Sequence, residues 1–154
     1  MSFSDKTMST HAGSQHRKAR ICVLQMLYQW EIGREDPAKV KASYWHEMRD
    51  LAPRTYATQL FDFAVADADE IDALITKYAR KWKIDRMAAV DRNLLRMAIA
   101  EFRNSPDVPH PVVINEAIEI AKQFSSDDSH MFLNGVLDAI SKELQGATNE
   151  ASST

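Results

Sequence analysis

The sequence has few of the residues that disulfides, zinc clusters and tight turns require. Cys22 is the single cysteine, and the 154 residues include four glycines and five prolines. One cysteine forms no disulfide within the chain and builds no thiolate zinc cluster, which suits a reducing compartment such as the cytoplasm. The glycines are too scattered for a glycine-rich phosphate loop. Their scarcity also argues against an all-β fold, which needs frequent turn residues.

Long apolar runs are missing as well. The sequence has no apolar run long enough for a membrane-spanning helix, and its N-terminus does not have the apolar segment of a secretory signal. What is present is typical of a globular protein, because 45% of the residues are hydrophobic and 27% are charged. We predict one domain over residues 15–145. The polar, aperiodic ends at 1–14 and 146–154 are predicted to be disordered tails.

Apolar residues recur at helical spacing along most of this domain, which predicts an all-α fold. The third segment is long and is predicted to break near residues 67–69, with Phe63 and Trp82 among its buried positions. The fifth segment is apolar over most of its circumference, which predicts a central position. Serines and aspartates at 125–128 are predicted to cap the last helix. The predicted helical segments are 14–32, 37–48, 55–82, 88–104, 112–124 and 129–144.

Charge is unevenly distributed along the chain. The net charge is −3, yet the first 30 residues contain four basic residues and one acidic residue. A basic start on an acidic body indicates a polyanion site near the N-terminus. The alternative is an ordinary solvated helix surface, since clustered cations are common there.

Enzyme signatures are weak. No two of the five histidines have the i, i+4 spacing of a helical metal site, and no metal or other cofactor is expected. Ser129 and His130 follow two aspartates, but neighbours on one helical turn do not form a catalytic triad. Asp127, Asp128 and Ser129 are better explained as a helix start.

Two helix faces are candidates for binding. Arg17, Ile21, Leu24 and Tyr28 lie opposite the predicted buried stripe of the first helix. Two alternatives for Ile21 and Leu24 remain open, packing within the chain or burial in a homodimer. On the last helix, Phe132 shares a flank with Gly135 and either stacks on a nucleobase or lies at the edge of the core.

Several blocks of the sequence resemble the NusB family of transcription antitermination factors. They occur in the family's order and cover about residues 16–144. The resemblance implies an all-α fold of two packed helical lobes, with six or seven helices and no catalysis. The blocks are Arg17–Arg20, Leu24–Glu31, Val90–Ala98, Asp107–Pro109, Val113–Lys122 and Asp128–Asp138.

The resemblance also implies a function and its partners. Members of this family bind the single-stranded boxA sequence of ribosomal RNA leaders. They do so with the small-subunit ribosomal protein NusE. The pair joins RNA polymerase and other Nus factors and suppresses premature termination. A monomer and a homodimer both remain open for this chain.

Site residues follow from the resemblance position by position. It implies protein-partner contacts at Tyr28 and Asp91. The arginine-rich start of the family corresponds to residues 16–20, and its aspartate and phenylalanine in the last block correspond to Asp128 and Phe132. The RNA-binding residues expected here are His16, Arg17, Lys18, Arg20, Lys122, Asp128 and Phe132.

This sequence departs from the family pattern at three positions. His16 stands where relatives often have arginine, Met131 replaces a common lysine, and Asp91 is shorter than the glutamate of some relatives. Each change weakens an expected contact. Two other functions remain open, a helical protein-interaction adaptor without RNA binding and an RNA-binding module related to ribosomal-RNA cytosine methyltransferases.

Overall fold

The computed structural model describes residues 12–47, 53–126 and 128–152, with side chains described over 16–47, 53–126 and 128–147. Predicted tail residues 1–11, Met48 and Asp127 lie outside the described residues. This part of the chain folds into seven α-helices without strands, so the predicted all-α class is confirmed. The helices are α1 (Ala12–Gly33), α2 (Pro37–Glu47), α3 (Arg54–Ala66), α4 (Ala68–Tyr78), α5 (Ala89–Asn104), α6 (His110–Phe124) and α7 (Ser129–Ser152).

The central helix of the fold is α5. It packs against α1, α3, α4, α6 and α7, and its residues 93–102 are all buried. The prediction that the 112–124 segment is central was wrong. Helix α6 packs mainly against α5 and α7 and leaves Val112 and Phe124 exposed. None of the described helices is long and apolar enough to cross a membrane.

Helix α1 buries residues outside its main apolar stripe as well as those within it. The stripe that contains Cys22, Met26 and Leu27 is buried, as predicted. Ile21 and Leu24 are buried as well, because α2, α3 and α5 all pack against α1. The alternative that they pack within the chain is therefore correct, and a homodimer that buries them is excluded.

The third predicted segment is two helices. Helix α3 ends at Ala66 and α4 begins at Ala68, so the predicted break is confirmed. The expected burial of Phe63 was wrong, because α3 turns a different stripe, which includes Leu60 and Phe61, to the core. Trp82 is also exposed. It follows the end of α4 at Tyr78 and belongs to the loop before α5.

Helix α7 is longer than predicted. Its backbone continues to Ser152, beyond the expected end at Leu144 and into the predicted tail. Leu133, Leu137 and Ile140 are buried as expected. A Cβ on Gly135 would meet no atom within 4 Å, so this glycine does not admit a neighbouring helix within the described residues. The proposed domain limits stay a prediction.

Candidate nucleic-acid interface

The basic start of α1 lies against α3 and α6. The ring of His16 stacks on that of Tyr56, with centroids 4.8 Å apart. Arg17 Nε donates to Glu116 Oε2 at 2.6 Å, and about a third of the Arg17 side chain stays exposed. Lys18 is half-buried. These three side chains therefore remain accessible at the molecular surface.

Arg20 is different, because its guanidinium is buried. The residue is 2% exposed, and its Nε and Nη2 donate to the two carboxylate oxygens of Glu101 at 2.8 and 2.6 Å. Burial alone would lower the pKa of Arg20, but the hydrogen bonds and charge of Glu101 outweigh it and raise that pKa. Arg20 is therefore enclosed in the fold with Nε and Nη2 bound to Glu101, and its expected contact with RNA stays a prediction.

Tyr56 links the start of α1 to this buried pair. Its hydroxyl donates to Glu101 Oε2 at 2.5 Å, while its ring stacks on the ring of His16. Burial, with a smaller effect from the hydrogen bond to Glu101, raises the pKa of Tyr56 to about 12. Tyr56 therefore stays protonated near neutral pH and keeps donating to Glu101. The surface residue His16 is held in place by the same cluster that buries Arg20.

The polar strip of α6 extends from the α1 contact toward α7. Glu116 is buried and accepts from Arg17. Six residues further along α6, Lys122 Nζ lies 3.2 Å from Glu119 Oε1, and Lys122 is exposed. At about 1.5 Å of rise per residue, some 12 Å of helix separate Glu116 from the end of α6. Lys122 thus lies between the two expected ends of an RNA path.

Asp91 holds the connection between α6 and α7. Ser125 Oγ donates to its Oδ1 at 2.5 Å, and Ser129 Oγ donates to its Oδ2 at 2.9 Å. Asp91 is also buried. Both carboxylate oxygens are therefore used within the chain. Within the chain, Asp91 thus holds the segment that leads to Asp128, and its expected contact with a protein partner stays a prediction.

A groove of about 280 Å³ opens beside this connection. Asp128, Phe132, Arg86 and Trp82 line it together with Asp91. The structure therefore brings together three of the expected site residues. Phe132 is half-buried and packs against the core. Its ring meets that of Trp82 edge to face, with centroids 5.8 Å apart and an angle of 66° between the planes.

Tyr28 lies on the exposed side of α1 and is 45% exposed. Three residues further along α1, Glu31 pairs with Arg92 and Arg96 of α5. Arg103 pairs with Glu70 at 2.6 Å. Arg92, Arg96 and Arg103 of α5 are thus all ion-paired, and Tyr28 is the accessible member of the expected partner surface.

The basic loop, defined here as residues 80–86, was not among the predicted binding segments. Arg80, Lys81 and Lys83 surround Trp82, and Arg86 follows. The alternation of cations with an aromatic residue was the available signal, but Trp82 was assigned to the core. Among the described residues, no group of three or more histidine, cysteine, aspartate or glutamate side chains is arranged to hold a metal ion.

Comparison with known proteins gives a consistent result. The model of the NusB family matches residues 17–142. The transcription antitermination protein NusB of Koribacter versatilis is 47% identical over 138 residues, which cover 88% of this chain and 94% of that relative. The match to the family model includes α1 from Arg17 onward and the groove lined by Asp128 and Phe132.

Solved structures show the same fold. NusB of T. maritima superposes with a TM-score of 0.76 at 38% identity, covering 82% of this chain and 90% of that one. A chain from a crystal structure of antitermination factors NusB and NusE in complex with dsRNA gives a TM-score of 0.76 at 30% identity. That match covers 84% of this chain and 97% of the other.

Proposed function

The chain belongs to the NusB family, and from this premise we propose that it is a transcription antitermination factor. It binds the boxA sequence of ribosomal RNA transcripts together with the ribosomal protein NusE. The assembly, with other Nus factors, prevents premature termination by RNA polymerase. The protein acts in the cytoplasm, where transcripts are made, and contributes binding rather than catalysis.

The observation that carries this proposal is the similarity to the complex of NusB and NusE with dsRNA. Nearly the whole of the matched chain in that structure corresponds to this one. Identity of 47% to an antitermination protein over 94% of its length supports the same role. A chain of this family with the same order of blocks is expected to present RNA and NusE surfaces at corresponding places.

The proposed RNA surface has two ends. At one end, Arg17 and Lys18 supply charge to phosphates, and arginine also reaches base edges. His16 lies next to Arg17 in the sequence, and its ring stacks on that of Tyr56. At the other end, Asp128 and Phe132 line a groove. Lys122 lies between these ends on α6, which supports one continuous path.

The proposed NusE surface centres on Tyr28. An exposed tyrosine is suited to an interface, because its ring is apolar while its hydroxyl stays hydrated. Arg20 and Asp91 serve as positioning residues in this account. Arg20 is paired with Glu101 inside the fold, next to the basic start of α1. Asp91 accepts hydrogen bonds from Ser125 and Ser129 at the start of α7.

The test is a titration of the purified chain with a fluorescent boxA RNA, a scrambled strand of the same composition and a duplex of boxA. Each titration is done with and without NusE and at several salt concentrations. We expect selective binding of the boxA strand that tightens with NusE, because two linked contacts act on one RNA. Equal affinity for boxA and scrambled strands, unchanged by NusE, would contradict the proposal and favour a protein-only adaptor.

A matched pair of variants makes this test sharper. Replacing Arg17 and Lys18 together by alanine removes accessible charge, and we expect weaker RNA binding with a shallower salt dependence. The control replaces Lys39 and Lys142 by glutamine, because both lysines are exposed on other helices. The control is expected to leave boxA affinity unchanged.

A further inference from the structure

The basic loop of residues 80–86 is an exposed, positively charged segment outside the site implied by the family resemblance. It contains four basic residues and one acidic residue, Asp85. All four cations and Trp82 are exposed. In an acidic protein of net charge −3, this is a second concentration of positive charge besides the start of α1.

These cations are not used to stabilise the fold. Within the part of the chain that the structure describes, Arg80, Lys81, Lys83 and Arg86 form no ion pair, whereas Arg92 and other α5 arginines are paired with acidic residues. Their unpaired state leaves the charge available to an external anion.

The loop is held in one conformation by α5. Arg92 Nη1 donates to the carbonyl oxygens of Ile84 at 3.0 Å and Met87 at 2.8 Å. The other side of the Arg92 guanidinium pairs with Glu31 of α1. A turn hydrogen bond from Arg86 N to Lys83 O at 2.9 Å closes the segment. A loop that is already ordered loses less conformational entropy on binding a ligand.

Trp82 is the most accessible aromatic surface of the groove. It is 58% exposed, while Phe132 is half-buried. The edge-to-face contact between the two rings fixes the indole at the mouth of the groove. A base stacks best on an aromatic face that is both exposed and held in place. Trp82 meets these two conditions better than Phe132.

We propose that the basic loop is an RNA-binding element in which Trp82 stacks on an unpaired base and the surrounding cations contact the flanking phosphates. Phe132 then acts as a positioning residue that orients Trp82. The proposal rests on the proposed RNA-binding function and extends the RNA path from Asp128 across the groove to Arg86. It assigns single-stranded RNA as the ligand of this loop.

The chemistry of the loop favours RNA over a protein partner. Protein interfaces are enriched in tryptophan and arginine but depleted in lysine, and this loop places Lys81 and Lys83 on either side of the exposed tryptophan. Clustered cations next to an aromatic platform are the common arrangement of single-strand binding sites. The loop also shares its groove with Asp128 and Phe132, so one strand contacts both.

The first test replaces Trp82 by alanine and, separately, by phenylalanine. With a single-stranded boxA RNA as probe, we expect alanine to weaken binding about ten-fold and phenylalanine to retain most of the affinity. Thermal unfolding is expected to be unchanged, because Trp82 is exposed. RNA is also expected to quench tryptophan emission of the unaltered chain, and this quenching is lost in Trp82→Phe, which keeps Trp30 and Trp45.

The second test neutralises the loop with Lys81→Gln and Lys83→Gln together. Loss of two phosphate contacts to a single strand lowers the slope of log affinity against log salt by about 1.4. The matched control is Lys39→Gln with Lys142→Gln, which removes the same charge elsewhere and is expected to leave the slope unchanged.

The outcomes separate this inference from the proposed function. If boxA binds selectively but Trp82→Ala and the lysine pair leave affinity and slope unchanged, the loop assignment is overturned and the function stands. If Trp82→Ala weakens NusE binding and not RNA binding, the loop is a protein surface and the assignment is again wrong. If the unaltered chain does not distinguish boxA from the scrambled strand, both are overturned.

Discussion

Arg17 and Arg20 are three residues apart on α1, yet their surroundings give them different roles. Arg17 keeps part of its guanidinium in solvent beside Glu116, whereas Arg20 is enclosed with Glu101. An exposed pair contributes at most about 1 kcal/mol, but removal of one partner from a buried pair costs about 3–5 kcal/mol. Solvent access therefore decides which arginine is available to RNA.

This difference predicts opposite outcomes for two alanine substitutions. Arg20→Ala leaves the Glu101 carboxylate buried without its cation, and we expect the free energy of unfolding to fall by about 3 kcal/mol or more. Arg17→Ala removes the cation of a pair in which Arg17 is partly exposed and Glu116 is buried. We expect it to lower the free energy of unfolding by a smaller amount, about 1–2 kcal/mol, and to weaken RNA binding. Urea denaturation of both variants checks the prediction. Equal urea midpoints for Arg20→Ala and the unaltered chain would show that the pair does not stabilise the fold.

At single positions, the sequence predicted well where helical spacing alone decides burial. Cys22, Met26 and Leu27 face the core because they follow one stripe. The sequence predicted burial poorly at positions where contacts between distant parts of the chain determine it. Arg20 is buried because Glu101, 81 residues away, supplies a matching carboxylate. Trp82 is exposed because its helix ends earlier, and hydrophobicity alone does not reveal that.

At the scale of elements, Glu31 joins three helices. It extends from α1 and pairs with Arg92 and Arg96 of α5, and Arg96 pairs in turn with Asp72 of α4 at 2.8 Å. Arg92 also holds the backbone of the basic loop through Ile84. The position of α1 and the conformation of that loop therefore depend on one carboxylate.

Neutralising this carboxylate with Glu31→Gln tests its role. Burial would raise the pKa of Glu31, but hydrogen bonds from Arg92 and Arg96 lower it below its ordinary value of 4.5. A lowered folded-state pKa stabilises the protein above the unfolded-state value, and this contribution is lost as pH falls through and below about 4.5. We expect Glu31→Gln to cost about 2 kcal/mol near neutral pH, between exposed and buried pairs.

The measurement is the free energy of unfolding from pH 3 to pH 7. We expect this free energy to fall less on acidification in Glu31→Gln than in the unaltered chain. Glu47→Gln is the matched control, because Glu47 is exposed at the end of α2. Parallel pH profiles of Glu31→Gln and the unaltered chain would contradict the assigned role of Glu31.

The order of helices was easier to predict than their places in the fold. The break at Asp67 and the starts of α2 and α5 were indicated by local residues and spacing. Which helix is central was not, because α6 and α5 are both rich in apolar residues. Helix α5 is central since its buried polar residues Arg96 and Glu101 find oppositely charged partners in Asp72 and Arg20, and pairing of this kind is not visible in a hydrophobic pattern.

At the scale of the whole molecule, an acidic protein presents two basic regions. The start of α1 and the basic loop each carry more basic than acidic residues, while the net charge is −3. Local positive regions attract RNA, and the acidic remainder disfavours non-specific binding elsewhere. Affinity of the chain alone is expected to be modest, with additional contacts supplied by NusE on the same RNA. The charge distribution and the family resemblance both predicted the region at the start of α1, and the fold reveals the basic loop.

Antitermination by this chain is measured most directly as read-through of a terminator by purified RNA polymerase. Templates carry boxA or a scrambled boxA, and the reaction contains this chain, NusE and other Nus factors. The account predicts that the chain raises read-through on the boxA template and not on the scrambled one. It also predicts that replacing Arg17 and Lys18 by alanine removes most of the gain. Equal read-through on both templates, or no effect of the chain, would contradict it.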